Sequence, residues 1–204
     1  MRLVIFCLPA LLLGLALTGC DRQKAPAPQG GAPGTADATA NAAASGEAVP
    51  TGRLDRSHQG EPAPDMAFED GQGQPVRLSA FRGRPLLVNL WATWCGPCVV
   101  EMPSLDALAA REAGGLRIVT ISQDTDSDTS NARQKVGDFF AAHHFSRLEP
   151  NLDSRMQIMT ALRVDTLPTT ILYNSQGEEV WRMTGMSDWQ DQRAARLLLE
   201  ADAG

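Results

Sequence analysis

The sequence predicts an α/β fold, a central mixed sheet flanked by helices with an N-terminal β-hairpin extension. Three observations carry this. Leu86-Leu87-Val88-Asn89-Leu90-Trp91 is a nearly continuous apolar run, as expected of a strand buried on both faces. Stretches with helical spacing, such as Val99, Met102, Leu105 and Leu108, alternate with strand-like runs, which indicates helices laid over a sheet. The chain then closes with a strand, a turn, a second strand and a helix.

Taken in order, Met66 to Glu69 and Pro75 to Leu78 flank Asp70-Gly71-Gln72-Gly73, a hairpin signal. After the central strand comes Cys95-Gly96-Pro97-Cys98, then a helix to about Glu112 that Gly114-Gly115 ends. Leu116 to Ser122 reads as the next buried strand. Asp124, Asp126 and Asp128 alternate as in a calcium loop but lack its Gly and distal Glu, so they are read as a solvated loop. Arg133 to His144 is a helix with Val136, Phe139 and Phe140 inward, and Arg155 to Leu162 a shorter one. Thr169 to Tyr173 and Glu179 to Met183 are strands around Asn174-Ser175-Gln176-Gly177. Trp189 to Ala201 closes the fold, with Trp189, Leu197 and Leu198 buried. Trp91 and Trp181 are read as core, and Met156, Met159, Met183 and Met186 as core filling.

The N-terminus reads as a targeting segment. Met1-Arg2 precedes an apolar stretch from Leu3 to Leu17, shorter than the roughly 20 residues a membrane span needs and suited to a secretory signal. It ends in Leu17-Thr18-Gly19-Cys20, which resembles a bacterial lipobox. That resemblance implies cleavage before Cys20 and a lipid on its sulfur. The predicted organisation is a signal peptide over 1–19 and a lipidated, Ala/Gly/Pro-rich tether over 20–59. One folded domain follows over 60–204. The tether has too few large apolar side chains to offset its ordering entropy, and a flexible chain of that length reaches roughly 35 Å. By the resemblance, Asp21 directly after Cys20 implies retention at the periplasmic face of the inner membrane of a Gram-negative-type bacterium.

The chain has four cysteines. If Cys7 leaves with the signal and Cys20 is acylated, only Cys95 and Cys98 remain, with no spare pair to staple the fold in an oxidising compartment. A zinc site would need a second Cys/His pair at ligand spacing, and His143-His144 do not supply it, so no metal is expected. The folded part carries 13 Lys+Arg against 20 Asp+Glu, a formal balance of −7, which argues against nucleic acid as a partner.

Val88-Asn89-Leu90-Trp91-Ala92-Thr93-Trp94-Cys95-Gly96-Pro97-Cys98, followed by Glu101-Met102-Pro103, resembles the TlpA/ResA-type branch of the thioredoxin superfamily. Thr166-Leu167-Pro168-Thr169-Thr170 is similar to that family's cis-proline loop, and Gln176-Gly177-Glu178 and Gly185 to its final hairpin. The resemblance covers about Pro62 to Glu200. It implies a thioredoxin-like fold and thiol:disulfide exchange, with no cofactor beyond the redox-active Cys95–Cys98 disulfide.

At a strand-to-helix junction the helix N-terminus favours a thiolate, which assigns attack to Cys95. Pro97 fits the first helical turn, and Cys98, one turn deeper, resolves the mixed disulfide. Glu101 follows Cys98 by three residues and shares its helix face. Thioredoxin's strand acid is absent, since Asn89 stands six residues before the first cysteine. The resembling branch carries its acid at Glu101, which is expected to manage the Cys98 proton. The resemblance also implies that Trp94, Gly96, Pro97, Leu167 and Pro168 form the substrate-binding surface, with a cis Leu167–Pro168 bond and an extended substrate segment paired to Leu167.

Gly96-Pro97 resembles the reducing thioredoxins, so a reductase is the expected direction. Exported protein thiols or disulfides are then the substrates, and a membrane thiol protein the electron donor. Cytochrome c maturation is one outlet and repair of exported proteins another. A redoxin-type peroxidase and a copper metallochaperone are the alternatives. The first needs a Thr/Ser-x-x-Cys motif and the second an added His ligand, and neither is present.

Overall fold

The structure, a computed structural model, describes residues 52–202. The signal peptide, Cys20, Asp21 and most of the tether lie outside the described residues.

The sheet is built outward from β4, Leu86–Trp91, every residue of which is buried. It pairs in parallel with β5, Arg117–Ser122, and antiparallel with β7, Thr169–Tyr173. β7 pairs antiparallel with β8, Glu179–Thr184, across the turn that Gly177 closes with φ +83°. Beyond β5 lie β6 (Asn151–Leu152), β2 (Ala67–Glu69) and β3 (Pro75–Arg77). Beyond β8 lies β1, Arg53–Asp55. The eight strands run in the order β1-β8-β7-β4-β5-β6-β2-β3.

Because side chains alternate along a strand, β4 divides the core. Leu87 and Trp91 face one cluster, filled by Cys98, Met102, Leu105 and Leu108 of α1 (Gly96–Arg111) and by Val136 and Phe140 of α2 (Thr129–His143). Trp181, Trp189 and Leu197 complete it, the last from α4, Gln192–Leu198. Leu86, Val88 and Leu90 face a second cluster with Phe68, Leu78 and Ile158, the last from α3, Gln157–Ala161. Among the described residues no helix is long and apolar enough to cross a membrane.

Four differences from the sequence reading have identifiable causes. The domain starts before residue 60: Arg53–Asp55 forms β1 against Thr184–Arg182, Leu54 packs on the core, and Arg56 pairs with Glu200 at 2.8 Å. α2 begins at Thr129 rather than Arg133 because Asp128 caps it, accepting the Ser130 N–H at 2.8 Å. The last helix begins at Gln192 rather than Trp189, capped by Asp191, which accepts the Ala194 N–H at 2.6 Å. α3 is shorter than expected, starting at Gln157, with Asp153 accepting the Gln157 and Ile158 N–H groups.

Candidate active site

Where β4 ends, the chain turns through residues 92–95 and enters α1. Cys95 is the N-cap, and its Sγ accepts the Cys98 N–H at 3.3 Å. Pro97 sits in the first turn, where a missing N–H leaves no intrahelical bond unmade. Cys95 and Cys98 are joined as a disulfide with S–S 2.05 Å. The two sulfur residues differ in access: Cys95 is 6% exposed and Cys98 0%. Trp94 beside them is 67% exposed, and Gly96 and Pro97 are exposed as well.

Glu101 lies on the buried stripe of α1 with Cys98, Met102, Leu105 and Leu108, and is only 2% exposed. Its Oε1 accepts from Asn89 Nδ2 at 2.7 Å and its Oε2 from the Ser187 N–H at 3.0 Å. Burial pushes its carboxyl up to about 7, against the downward pull of the Ser187 and Asn89 donors. The Trp189 indole N–H pulls more weakly and makes no hydrogen bond of full geometry. Asn89, at the position where thioredoxin has its acid, is therefore the donor that holds this one.

The Asn89 amide also donates to Thr170 Oγ1 at 2.9 Å. Thr170 stands two residues after Pro168, and the Leu167–Pro168 bond is cis. Pro168 is buried and Leu167 half-buried. The Pro168 carbonyl accepts the Gly185 N–H at 2.8 Å. One network thus ties the acid on α1, the centre of the sheet and the strand that follows the cis proline.

A second carboxylate belongs to the same end of the sheet, and the sequence reading misplaced it. Asp124 is 1% exposed rather than solvated. It accepts from the Thr93 N–H at 2.8 Å, Thr93 Oγ1 at 2.6 Å, Ser122 Oγ at 2.8 Å and Lys135 Nζ at 2.9 Å. Burial alone would raise this carboxyl, but the Thr93, Lys135 and Ser122 donors together hold it below the usual carboxylate range. Asp124 thereby fixes the turn two residues before Cys95. Asp126 and Asp128 are exposed, as the sequence reading has them. The signal for Asp124 was its place directly after a buried strand, beside Ser122 and Gln123.

The arrangement can carry out dithiol exchange, with one sulfur at the helix N-cap beside exposed residues, a fully buried partner sulfur and a buried acid one turn further on. Among the described residues no three His, Cys, Asp or Glu side chains gather as a metal-binding group. Cys20, the expected lipidation site, lies outside the described residues.

Comparison with known proteins agrees with this chemistry. The Redoxin family matches residues 58–198. The thiol-disulfide oxidoreductase ResA of Geobacillus kaustophilus is 32% identical over 134 residues, 65% of this chain and 72% of that protein. Among solved structures, a thio-disulfide isomerase from Thermus thermophilus is 27% identical, with a TM-score of 0.56 over 71% of this chain and 98% of the other. The exposed lipoprotein thioredoxin Etrx1 of Streptococcus pneumoniae aligns with a TM-score of 0.58 over 67% of this chain and 99% of its own. At 18% identity that last likeness shows the thioredoxin-like fold alone.

Proposed function

The chain belongs to the Redoxin family and is a thiol-disulfide oxidoreductase of the ResA type, and from that premise we propose that it works as a membrane-tethered periplasmic reductase of protein disulfides. The observation that carries this reading is the placement of the dithiol at the start of α1. Cys95 caps α1 among exposed Trp94, Gly96 and Pro97, while Cys98 is sealed one turn from Glu101.

In the reduced protein the Cys95 thiolate attacks a substrate disulfide, forming a mixed disulfide and releasing one substrate thiolate. Cys98 then gives its proton to the Glu101 carboxylate and attacks the Cys95 sulfur. The Cys95–Cys98 bond forms, the substrate's second sulfur leaves, and the proton passes to it. An acid poised near neutral pH suits both halves of that transfer. Trp94, Leu167 and Pro168 receive the substrate, which pairs as an extended strand with the Leu167 backbone. A membrane thiol protein returns the electrons, and the disulfide of an apocytochrome c, whose thiols must be free before haem attachment, is one class of recipient.

The reductase direction is supported by Gly96-Pro97 between the cysteines, and the tether by the lipobox-like Leu17 to Cys20 with Asp21 behind it. The decisive experiment is trapping: Cys98→Ser should strand exported proteins on Cys95 as reductant-sensitive adducts, and Cys95→Ser should not. A Cys95–Cys98 potential near that of thioredoxin, about −270 mV, is expected, and one near about −120 mV would overturn the reductase direction. Fractionation to the outer membrane would overturn the location.

A further inference from the structure

Glu101 has a cover, fastened by a part of the chain remote from it in sequence. The cover is residues 185–189, between β8 and α4. Ser187 donates its N–H to Glu101 Oε2 at 3.0 Å, and Trp189 donates its N–H to Ser104 Oγ at 3.1 Å. Ser104 Oγ in turn donates to the Glu101 carbonyl at 2.7 Å. Met186, Ser187 and Trp189 are all buried.

What closes over this segment is Gly52, the residue before β1. Its N–H donates to the Met186 carbonyl at 2.8 Å, and its own carbonyl accepts from Arg193 Nη2 at 3.2 Å. A Cβ at position 52 would stand 2.5 Å from Ser187 Oγ and 2.8 Å from Met183 Sδ. A side chain there must displace the Ser187 hydroxyl and the thioether of Met183, and since Ser187 and Met183 are both buried, the close approach is best met by glycine.

We propose that Gly52 is a positioning residue for Glu101, because its lack of a side chain lets the start of β1 close residues 185–189 onto the carboxyl and keep water from it. The proposal rests on the reading of Glu101 as the group that handles the Cys98 proton. Around the carboxyl stand Asn89 from β4, with Thr170 of β7 behind it, Ser187 and Trp189 from the cover, and Cys98 on its own helix. None of the groups that shift it is charged, and burial is the largest cause of its raised value. Loosening the cover therefore has two opposed effects, relief of burial and loss of the Ser187 donor, and the first, being the larger cause, sets the direction. Entering water lowers the carboxyl toward its ordinary range and replaces the Ser187 donor if that bond is lost.

The test is a pH titration of the Glu101 side-chain carboxyl by carbon NMR in the full chain, assigned with Glu101→Gln. Gly52→Val should lower the midpoint by about one pH unit or more, and Arg193→Met, which frees the Gly52 carbonyl, by less. Adding Ser187→Gly to Gly52→Val removes the clashing hydroxyl but keeps the N–H, and should move the midpoint back. A folded Gly52→Val with lowered Tm and an unchanged midpoint would mean a merely structural role and overturn the proposal. If Gly52→Val does not fold, an unchanged midpoint in Arg193→Met overturns it. Thiol titration of Cys98 on the same samples separates the two readings. A moving Glu101 midpoint with Cys98 indifferent to both Gly52→Val and Glu101→Gln would keep Gly52 as positioning residue and remove the proton role of Glu101.

Discussion

Glu101 and Asp124 are both carboxylates sealed from solvent at the same end of the sheet, and they are held in opposite states. Glu101, after the cysteines, is pushed up to about 7, whereas Asp124, bonded to the turn before them, is held below its ordinary range. Both are nearly inaccessible, but Glu101 lies deeper than Asp124, so burial costs it more. The donors differ too. Glu101 receives one amide and one backbone N–H, both neutral. Asp124 receives four hydrogen bonds, one of them from the Lys135 ammonium. Burial sets the cost of a charge, and the number and charge of the donors decide whether the group keeps it. One carboxylate is thereby brought into the range where it changes protonation near neutral pH, while the other serves as a fixed clamp.

The contrast can be broken most strongly at Asn89. Asn89→Asp replaces the donor of Glu101 with a second carboxylate, and two such groups in contact cannot both ionise. The expected cost is about 3–5 kcal/mol above pH 8, shrinking toward pH 5, as read by urea unfolding across pH.

Glu101→Gln comes next. The folded carboxyl titrates near 7 against 4.5 for the ordinary group, so between those values the native state holds a proton that the unfolded chain has lost. Its contribution is fully present below pH 4.5 and is lost as pH rises through 7, about 3 kcal/mol in all. The glutamine variant should lack this slope in the oxidised protein, and a slope equal to wild type's would mean that another group carries it.

Lys135→Met sharpens the other side. Asp124 has the opposite sign, its contribution present above the ordinary carboxylate value and lost as pH falls through the lowered one. Lys135 is more than half exposed, so solvent screening limits the loss to about 1 kcal/mol at pH 7, vanishing once Asp124 is protonated. Thr93→Val should have the smallest effect, about 0.5–1 kcal/mol in unfolding free energy, because Asp124 keeps the Thr93 N–H and Lys135.

Glu101 was legible in the sequence and Asp124 was not, for a physical reason. Glu101 shares a helix face with Cys98 at a spacing of three, and the family resemblance assigns the acid to that position. Asp124 stands in a run of alternating aspartates whose other members are solvated, and its burial depends on Thr93 and Lys135, 31 and 11 residues away. The central strand, the hairpins and α1 were legible because long apolar runs and turn residues mark them. β1 and β6, at three and two residues, have no local signal, since their pairing with β8 and β5 forms them. The starts of α2 and α4 were not legible, because Asp128 and Asp191 set them by capping hydrogen bonds that apolar spacing does not mark.

The sheet has one further consequence, for how the molecule meets copies of itself. Among the described residues its two rims are β1 and β3, each only three residues long. β1 carries Arg53 and Asp55, and β3 carries Pro75 and Arg77. Short rims with charges and a proline are poor templates for another strand. An eight-stranded sheet with long apolar rims would invite edge-to-edge polymerisation, whereas this one turns neighbouring sheets away along both margins.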